Sequence, residues 1–250
     1  KSSVNVESLF DMEQMIKGDT QPNAKDGFPG LRSPKWPNDI LPPIDQKLAD
    51  KGGELYKTHC QECHRPPPSS AAFWDFNNKD WWRKNQNGEQ ILKLENIKIS
   101  HIGTDPAQAA DMLNRTVALP ENLGINENGF AGALGALVAN TVNYVFDQKK
   151  PPVSPDERKR IDGYMPNELR GELAYKVRPL NGVWATPPYL HNGSVPTIEA
   201  LLGPPEERPK KFYLGNREYD PVNLGYKYDK IANGFEFDTS IRGNSNRGHE

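Results

Sequence analysis

Two cysteines occur in the 250 residues, and they stand three apart in His59-Cys60-Gln61-Glu62-Cys63-His64. Three chemistries can use such a pair. A redox dithiol of the thioredoxin kind follows a strand in a βαβ pattern, and no such pattern precedes Cys60. A structural zinc site wants four ligands, often a second cysteine pair, and there is no third cysteine. The histidine directly after the second cysteine marks covalent haem attachment. Two thiols add across the two vinyl groups of one porphyrin, so their separation must match its edge. Within the same helical turn the next residue points at the iron. The expectation is one haem c, bound through Cys60 and Cys63, with Nε2 of His64 as an iron ligand.

The segment leading into the motif must present it. Residues 44–68 read as an attachment helix and its stop, with Asp45 as N-cap and Leu48, Leu55 and Tyr56 at helical spacing. Gly52 and Gly53 are costly inside a helix. They are expected where another backbone or helix comes close. Pro66, Pro67 and Pro68 end the helix after Arg65. A proline carbonyl there is the expected acceptor for His64 Nδ1, a bond that would fix the ring.

The rest of the chain has few strong signals. Residues 1–43 read as an extended, Pro-rich arm or linker with one short helix around Phe10, Met12, Met15 and Ile16. Residues 44–250 read as a single mono-haem domain. Phe73, Trp74, Phe76, Trp81 and Trp82 are either ordinary core or the lining of a haem edge. Asp105 and Pro106 open a helix expected to reach Val117. Further helices are expected over 131–149, 168–176 and 197–202. The fold class expected is mainly α: a cytochrome c-like helical core around the haem, enlarged by long ordered loops. The loops follow from 23 Pro and 21 Gly in a chain only 35% hydrophobic.

Composition excludes more than it selects. The net charge is −2 with both signs mixed, and no basic stripe interleaved with aromatics suggests a nucleic-acid partner. No apolar run approaches the roughly 18 residues of a membrane span. No signal peptide is visible, so the sequence is expected to be a mature or excised form. Covalent haem with no spare thiol points to a bacterial periplasm or another extracytoplasmic compartment.

A second axial ligand must come from elsewhere. The candidates are His101, His191, His249, Met112 and Met165; His59 is too close to Cys60 to reach the opposite haem face. A resemblance narrows them. Tyr175-Lys176-Val177-Arg178-Pro179-Leu180-Asn181-Gly182-Val183-Trp184-Ala185-Thr186-Pro187-Pro188-Tyr189-Leu190-His191-Asn192-Gly193-Ser194 resembles a characteristic stretch of the bacterial di-haem cytochrome c peroxidase superfamily, nearest its rubber-oxygenase-like branch. Ile102–Pro106, Tyr213–Pro221 and Gly243–Glu250 are similar to that branch too, so the likeness covers roughly residues 34–250. It implies the electron-transferring, C-terminal haem domain of such enzymes. Its bis-histidine haem implies His249, in Asn244-Ser245-Asn246-Arg247-Gly248-His249, as the distal ligand. Gly243 and Gly248 would let the backbone bend close to the porphyrin. His191 is the rival, implied to lie near the haem and to bond a propionate or backbone group. Arg178 and Trp184 are the first choices for propionate partners, with Arg83 behind them. Proteins of this branch usually continue beyond the Gly-His-Glu segment into a helix packed on the attachment helix, whereas this sequence ends at Glu250.

Two functions follow. A haem with two protein ligands passes single electrons to a redox partner protein or a second haem domain. Alternatively, an open or labile sixth position would make the chain a peroxidase or oxygenase, with His191, Trp184 and Tyr189 forming its distal pocket.

Overall fold

Proline and glycine set where regular structure stops, and the segments between them are short. The computed structural model describes residues 4–18, 30–166 and 169–249. Pro22 and Pro29 of the expected arm, Glu168 of the expected third helix, and Glu250 lie outside the described residues.

Among the described residues there are eight α-helices: α1 Val6–Lys17, α2 Gln46–His59, α3 Gln61–His64, α4 Ile99–Ile102, α5 Ala107–Asn114, α6 Phe130–Gln148, α7 Pro155–Ile161 and α8 Ile198–Leu202. The strands are β1 Trp82–Lys84, β2 Gln90–Leu92, β3 Asn96–Lys98, β4 Ala174–Lys176, β5 Lys211–Leu214, β6 Tyr219–Asp220, β7 Gly225–Tyr226 and β8 Phe235–Asp238. They pair antiparallel as β1–β2, β3–β4, β5–β8 and β6–β7.

The expectation of a mainly α fold does not hold. Helix accounts for 37% of the described residues and strand for 12%, so half of the structure is loop and turn. Two of the small sheets join distant segments, with Ile97 opposite Tyr175 and Phe212 opposite Phe237. Such pairings carry no local signature. Residues 174–176, expected within a helix, form β4 instead, because Tyr175 pairs across to β3. The helix opened by Asp105 ends at Asn114 rather than Val117. There Thr116 leaves the helical path to bridge Gly129. No described helix is long and apolar enough to cross a membrane.

The chain divides into two compact units. The first comprises Lys1–Ser33, Trp82–Leu92 and Asp111–Glu172. Within it α1 is tied to its neighbours by a Lys149–Glu7 ion pair and by Arg160 over the ring of Phe10. The long helix α6 buries Ala131, Ala133 and Phe146.

The second unit comprises Pro34–Trp81, Lys93–Ala110 and Leu173–Glu250. It holds a small core of Tyr189, Val195 and Ala200. Nearby regular structure is brief, and side-chain bonds replace it. Thr197 caps α8 through Ala200 N–H, and the stacked rings of Phe212 and Phe237 close the β5–β8 ribbon. Of the aromatics at 73–82, Phe73 in this unit and Trp82 in the first are buried, Trp74 and Trp81 are half-buried, and Phe76 is exposed.

Candidate functional site

The attachment motif is formed by local structure. Asp45 caps α2, accepting from the N–H groups of Lys47 and Leu48. The helix breaks at Cys60, whose N–H still bonds Tyr56 O, and a fresh turn, α3, begins. His64 N–H bonds Cys60 O, so both cysteines and the histidine share one turn. Arg65, at φ 69°, ends that turn in the left-handed region. Its side chain is 3% exposed and donates to Glu62 O, to Lys93 O and to Glu95 Oε1 at 2.8 Å. Tyr56 Oη donates to Arg65 O at 2.6 Å. The motif is thereby bolted to the chain entering β3. Neither cysteine is in a disulfide, and burial, with Cys63 nearby, pushes the Cys60 thiol up.

His64 Nδ1 lies 2.9 Å from the backbone carbonyl of Arg178. A carbonyl only accepts, so Nδ1 carries the proton and Nε2 presents its lone pair. The acceptor is therefore not one of the prolines after the motif. Pro68 O instead accepts from Trp74 Nε1. A second expectation also fails: no described atom outside the helix's own backbone comes within 4 Å of a Cβ built on Gly52 or Gly53. Helix α2 buries none of its residues, and Leu48 and Leu55 are exposed.

His249 is held quite differently, on a loop with no regular structure. Asn192 Nδ2 donates to Gly243 O and Ser245 O, and Ser194 Oγ donates to Ser245 O. Asp105 works at both ends of its carboxylate, taking Ala107 N–H to start α5 and Ser245 N–H to hold the loop. Asn244 and Asn246 donate to Asp238 O and Pro209 O. Arg208 donates to Asn246 O and Gly248 O. Gly248, at φ 111°, passes so close to Thr104 that a Cβ would lie 2.8 Å from its Cα. His249 follows at φ 64°, with its N–H on Ile102 O. Burial, with the charges of His64 and Arg208, pushes the imidazole below its ordinary range. It is therefore neutral near pH 7 and able to offer a lone pair.

The two histidines meet at a cavity of about 380 Å³. Its walls include apolar side chains, Ile97, Ile102, Val177 and Leu190 among them, and both imidazoles line it. His249 is exposed and is among the residues lining the cavity. The ring centroids of His64 and His249 are 6.1 Å apart with planes inclined by 21°. Two imidazoles on opposite faces of one metal, each bonded at about 2 Å, have centroids about 6 Å apart. Direct stacking is closer, as in Tyr175 on His191 at 4.0 Å. The residues present therefore fit a haem iron between His64 and His249, with apolar walls for the porphyrin.

Of the other expected residues, Arg178 lines the cavity and is exposed, as is Lys176. Neither is in an ion pair with a described residue, so two cations are available to carboxylates. His191 lines the cavity as well, its Nδ1 3.5 Å from Thr104 Oγ1 and its ring on Tyr175. Burial holds it below the usual imidazole range, with Asp105 pulling weakly the other way. Trp184 is not on the cavity. Its indole packs against Trp36 at 5.1 Å and Tyr219 at 6.0 Å, and its carbonyl accepts from Tyr189 and Tyr219 hydroxyls. His59 and His101 are exposed and do not line it either. Met112, Met165 and Arg83 belong to the first unit.

Sequence reasoning passed over the groups that hold the loop: Arg208, Asn192 and Ser194. Asn192 and Ser194 stand inside the recognisable Tyr175–Ser194 stretch, next to His191, and adjacency was the available signal. Arg208, in Glu206-Glu207-Arg208-Pro209-Lys210, reads as one more surface charge.

Residues 174–213 match the RoxA-like, cytochrome c-like family. The matched segment contains β4, the Arg178 carbonyl, His191, Asn192, Ser194 and Arg208. The whole chain is 51% identical over 249 residues to the uncharacterized protein y4iJ of Sinorhizobium fredii, which it covers to 41%. It is also 28% identical over 211 residues, 81% of its length, to the uncharacterized protein y4iM of the same organism, which it covers to 40%. The chain thus spans about two fifths of the length of these relatives. The family match supports a cytochrome c-type haem domain, and such a domain implies haem binding.

Proposed function

We propose that this chain is a mono-haem c-type cytochrome domain that transfers single electrons, with Cys60 and Cys63 as attachment thiols and His64 and His249 as axial ligands. The observation that carries the reading is the pair of near-parallel imidazoles, ring centroids 6.1 Å apart, that both line a largely apolar cavity. When bound, the haem supplies a one-electron Fe(III)/Fe(II) couple.

The residues around it set the conditions. The Arg178 carbonyl accepts from Nδ1–H of His64, which fixes the ring and leaves the Nε2 lone pair available to a metal. His249, neutral and tied through Ile102 O and the loop's other bonds, stays in place likewise. Fixed ligands leave little to reorganise when the charge changes. The apolar walls suit a porphyrin face, and Lys176 and Arg178 would offer cations to the propionates. The compartment proposed is extracytoplasmic, where covalent haem attachment is expected. The partner is a redox protein or a second haem domain; the greater length of both relatives leaves room for one on the same polypeptide. The wider kinship proposed is with the di-haem peroxidase superfamily.

One observation favours a second reading. His191 and Tyr175 also line the cavity, and a peroxidase or oxygenase could use them if His249 left the iron. Optical and EPR spectra of oxidised and dithionite-reduced protein, with and without carbon monoxide, separate the two. A low-spin haem inert to carbon monoxide is expected. A high-spin ferric signal with ready carbon monoxide binding would replace electron transfer by oxygen or peroxide chemistry.

A further inference from the structure

Arg208 sits in surroundings unusual for a cation. It is 3% exposed, and its planar fork is spent on backbone carbonyls. Nε donates to Ala200 O at 3.2 Å and Nη2 to Leu201 O at 3.0 Å. Nη1 donates to Asn246 O at 2.5 Å and to Gly248 O at 3.0 Å. The first two carbonyls belong to the last turn of α8, where helical partners run out. The other two belong to the loop that carries His249. A guanidinium can satisfy four acceptors from one rigid plane, which a lysine ammonium cannot. Removing such a group from water is unfavourable unless its donors are filled in this way.

The place where the fork holds the loop matters. Gly248 and His249 are consecutive residues with positive φ, 111° and 64°. Left-handed backbone of this kind persists only where the surroundings over-determine it. The bond from Arg208 to Gly248 O and the bond from His249 N–H to Ile102 O lie on the two sides of the single peptide that joins these residues. Loss of the first leaves that peptide to its bond with Ile102 O, while Asp105, Asn192 and Ser194 still hold the loop further back, at Gly243 and Ser245.

We infer that Arg208 is a positioning residue: through the carbonyls of Asn246 and Gly248 it pins the loop so that His249 faces His64, and thereby sets whether the second axial site of the iron is filled. The inference rests on His249 being an axial ligand.

The test uses the full chain loaded with haem, carrying Arg208→Gln, Arg208→Lys or His249→Ala. Arg208→Gln should move about half or more of the ferric haem from low to high spin and raise ferrous carbon monoxide affinity about tenfold or more. Added imidazole should restore the low-spin spectrum, as it should in His249→Ala. Arg208→Lys should fall between wild type and Arg208→Gln. If Arg208→Gln stays low-spin and inert to carbon monoxide while His249→Ala becomes high-spin, the inference is overturned and the ligand assignment stands. If His249→Ala is itself unchanged, the ligand assignment falls and takes the inference with it. Should Arg208→Gln not fold by circular dichroism, Arg208→Lys decides: a mixed-spin haem supports the role, and a wholly low-spin haem overturns it.

Discussion

The two segments of the second unit proposed to carry the iron ligands are built on opposite plans. Cys60, Cys63 and His64 lie at the end of α2, a helix that buries no residue and has open space over its two glycines. His249 lies on a loop without regular structure that is fastened by Asp105, Asn192, Ser194 and Arg208. The backbone of the helix is set locally, by a cap at one end and the turn at Arg65 at the other, and only the Arg65 side chain and the His64 ring reach to distant partners, at Lys93, Glu95 and Arg178. The loop takes nearly all of its support from distant partners. A ligand can therefore be placed either by local backbone order or by many distant hydrogen bonds. Only the first of these is visible as a pattern of neighbours.

Substitutions should separate the plans. The largest effect is expected from His249→Ala in haem-loaded protein, with the ferric spectrum turning from low to high spin and carbon monoxide binding appearing. Retention of the wild-type spectrum would break the comparison outright. Next comes Gly248→Ala, which adds a Cβ beside the Thr104 backbone at φ 111°. It should cost about 1–3 kcal/mol in urea unfolding and loosen the His249 ligation. A melt as stable as wild type would show that the loop yields more easily than its bonds suggest.

A smaller effect is expected from pH. His191 is held below the usual imidazole range chiefly by burial, so it is neutral in the folded state. Its contribution to stability is complete above about pH 6.5, where the unfolded ring is neutral too. It declines as the pH falls below that, because the unfolded chain takes the proton first. His191→Gln should therefore show a flatter fall in urea midpoint between about pH 7 and pH 5 than wild type. Parallel profiles would remove His191 from the polar support of the cavity.

The smallest effect is expected on α2. Gly52→Ala meets no atom within 4 Å and should stabilise the protein by about 0.5–1 kcal/mol, read from the thermal midpoint. Destabilisation there would mean that the helix is not the self-sufficient element it looks to be.

What could be read in advance follows the same division. Cys60-Gln61-Glu62-Cys63-His64 and the caps Asp45 and Asp105 were legible because their chemistry acts over one turn. The extents of α6 and α8 were legible for the same reason. The fold class was misjudged because β3–β4 and β5–β8 join segments far apart, and because a run such as 174–176 takes its conformation from its partner. Arg178 was expected to matter through its guanidinium, yet its carbonyl fixes His64. No residue type announces a backbone contact. Arg208 was missed because a buried arginine and a surface one are spelled alike.

The separation of His64 and His249 along the chain also imposes an order in time. The attachment turn can form from contacts within α2 and α3, early in synthesis. The loop facing it can close only after Asn192, Ser194 and Arg208 have themselves been made and folded, since its bonds run to them. One wall of the cavity thus rests on contacts between near neighbours in sequence, whereas the other rests on contacts that the chain closes over long separations.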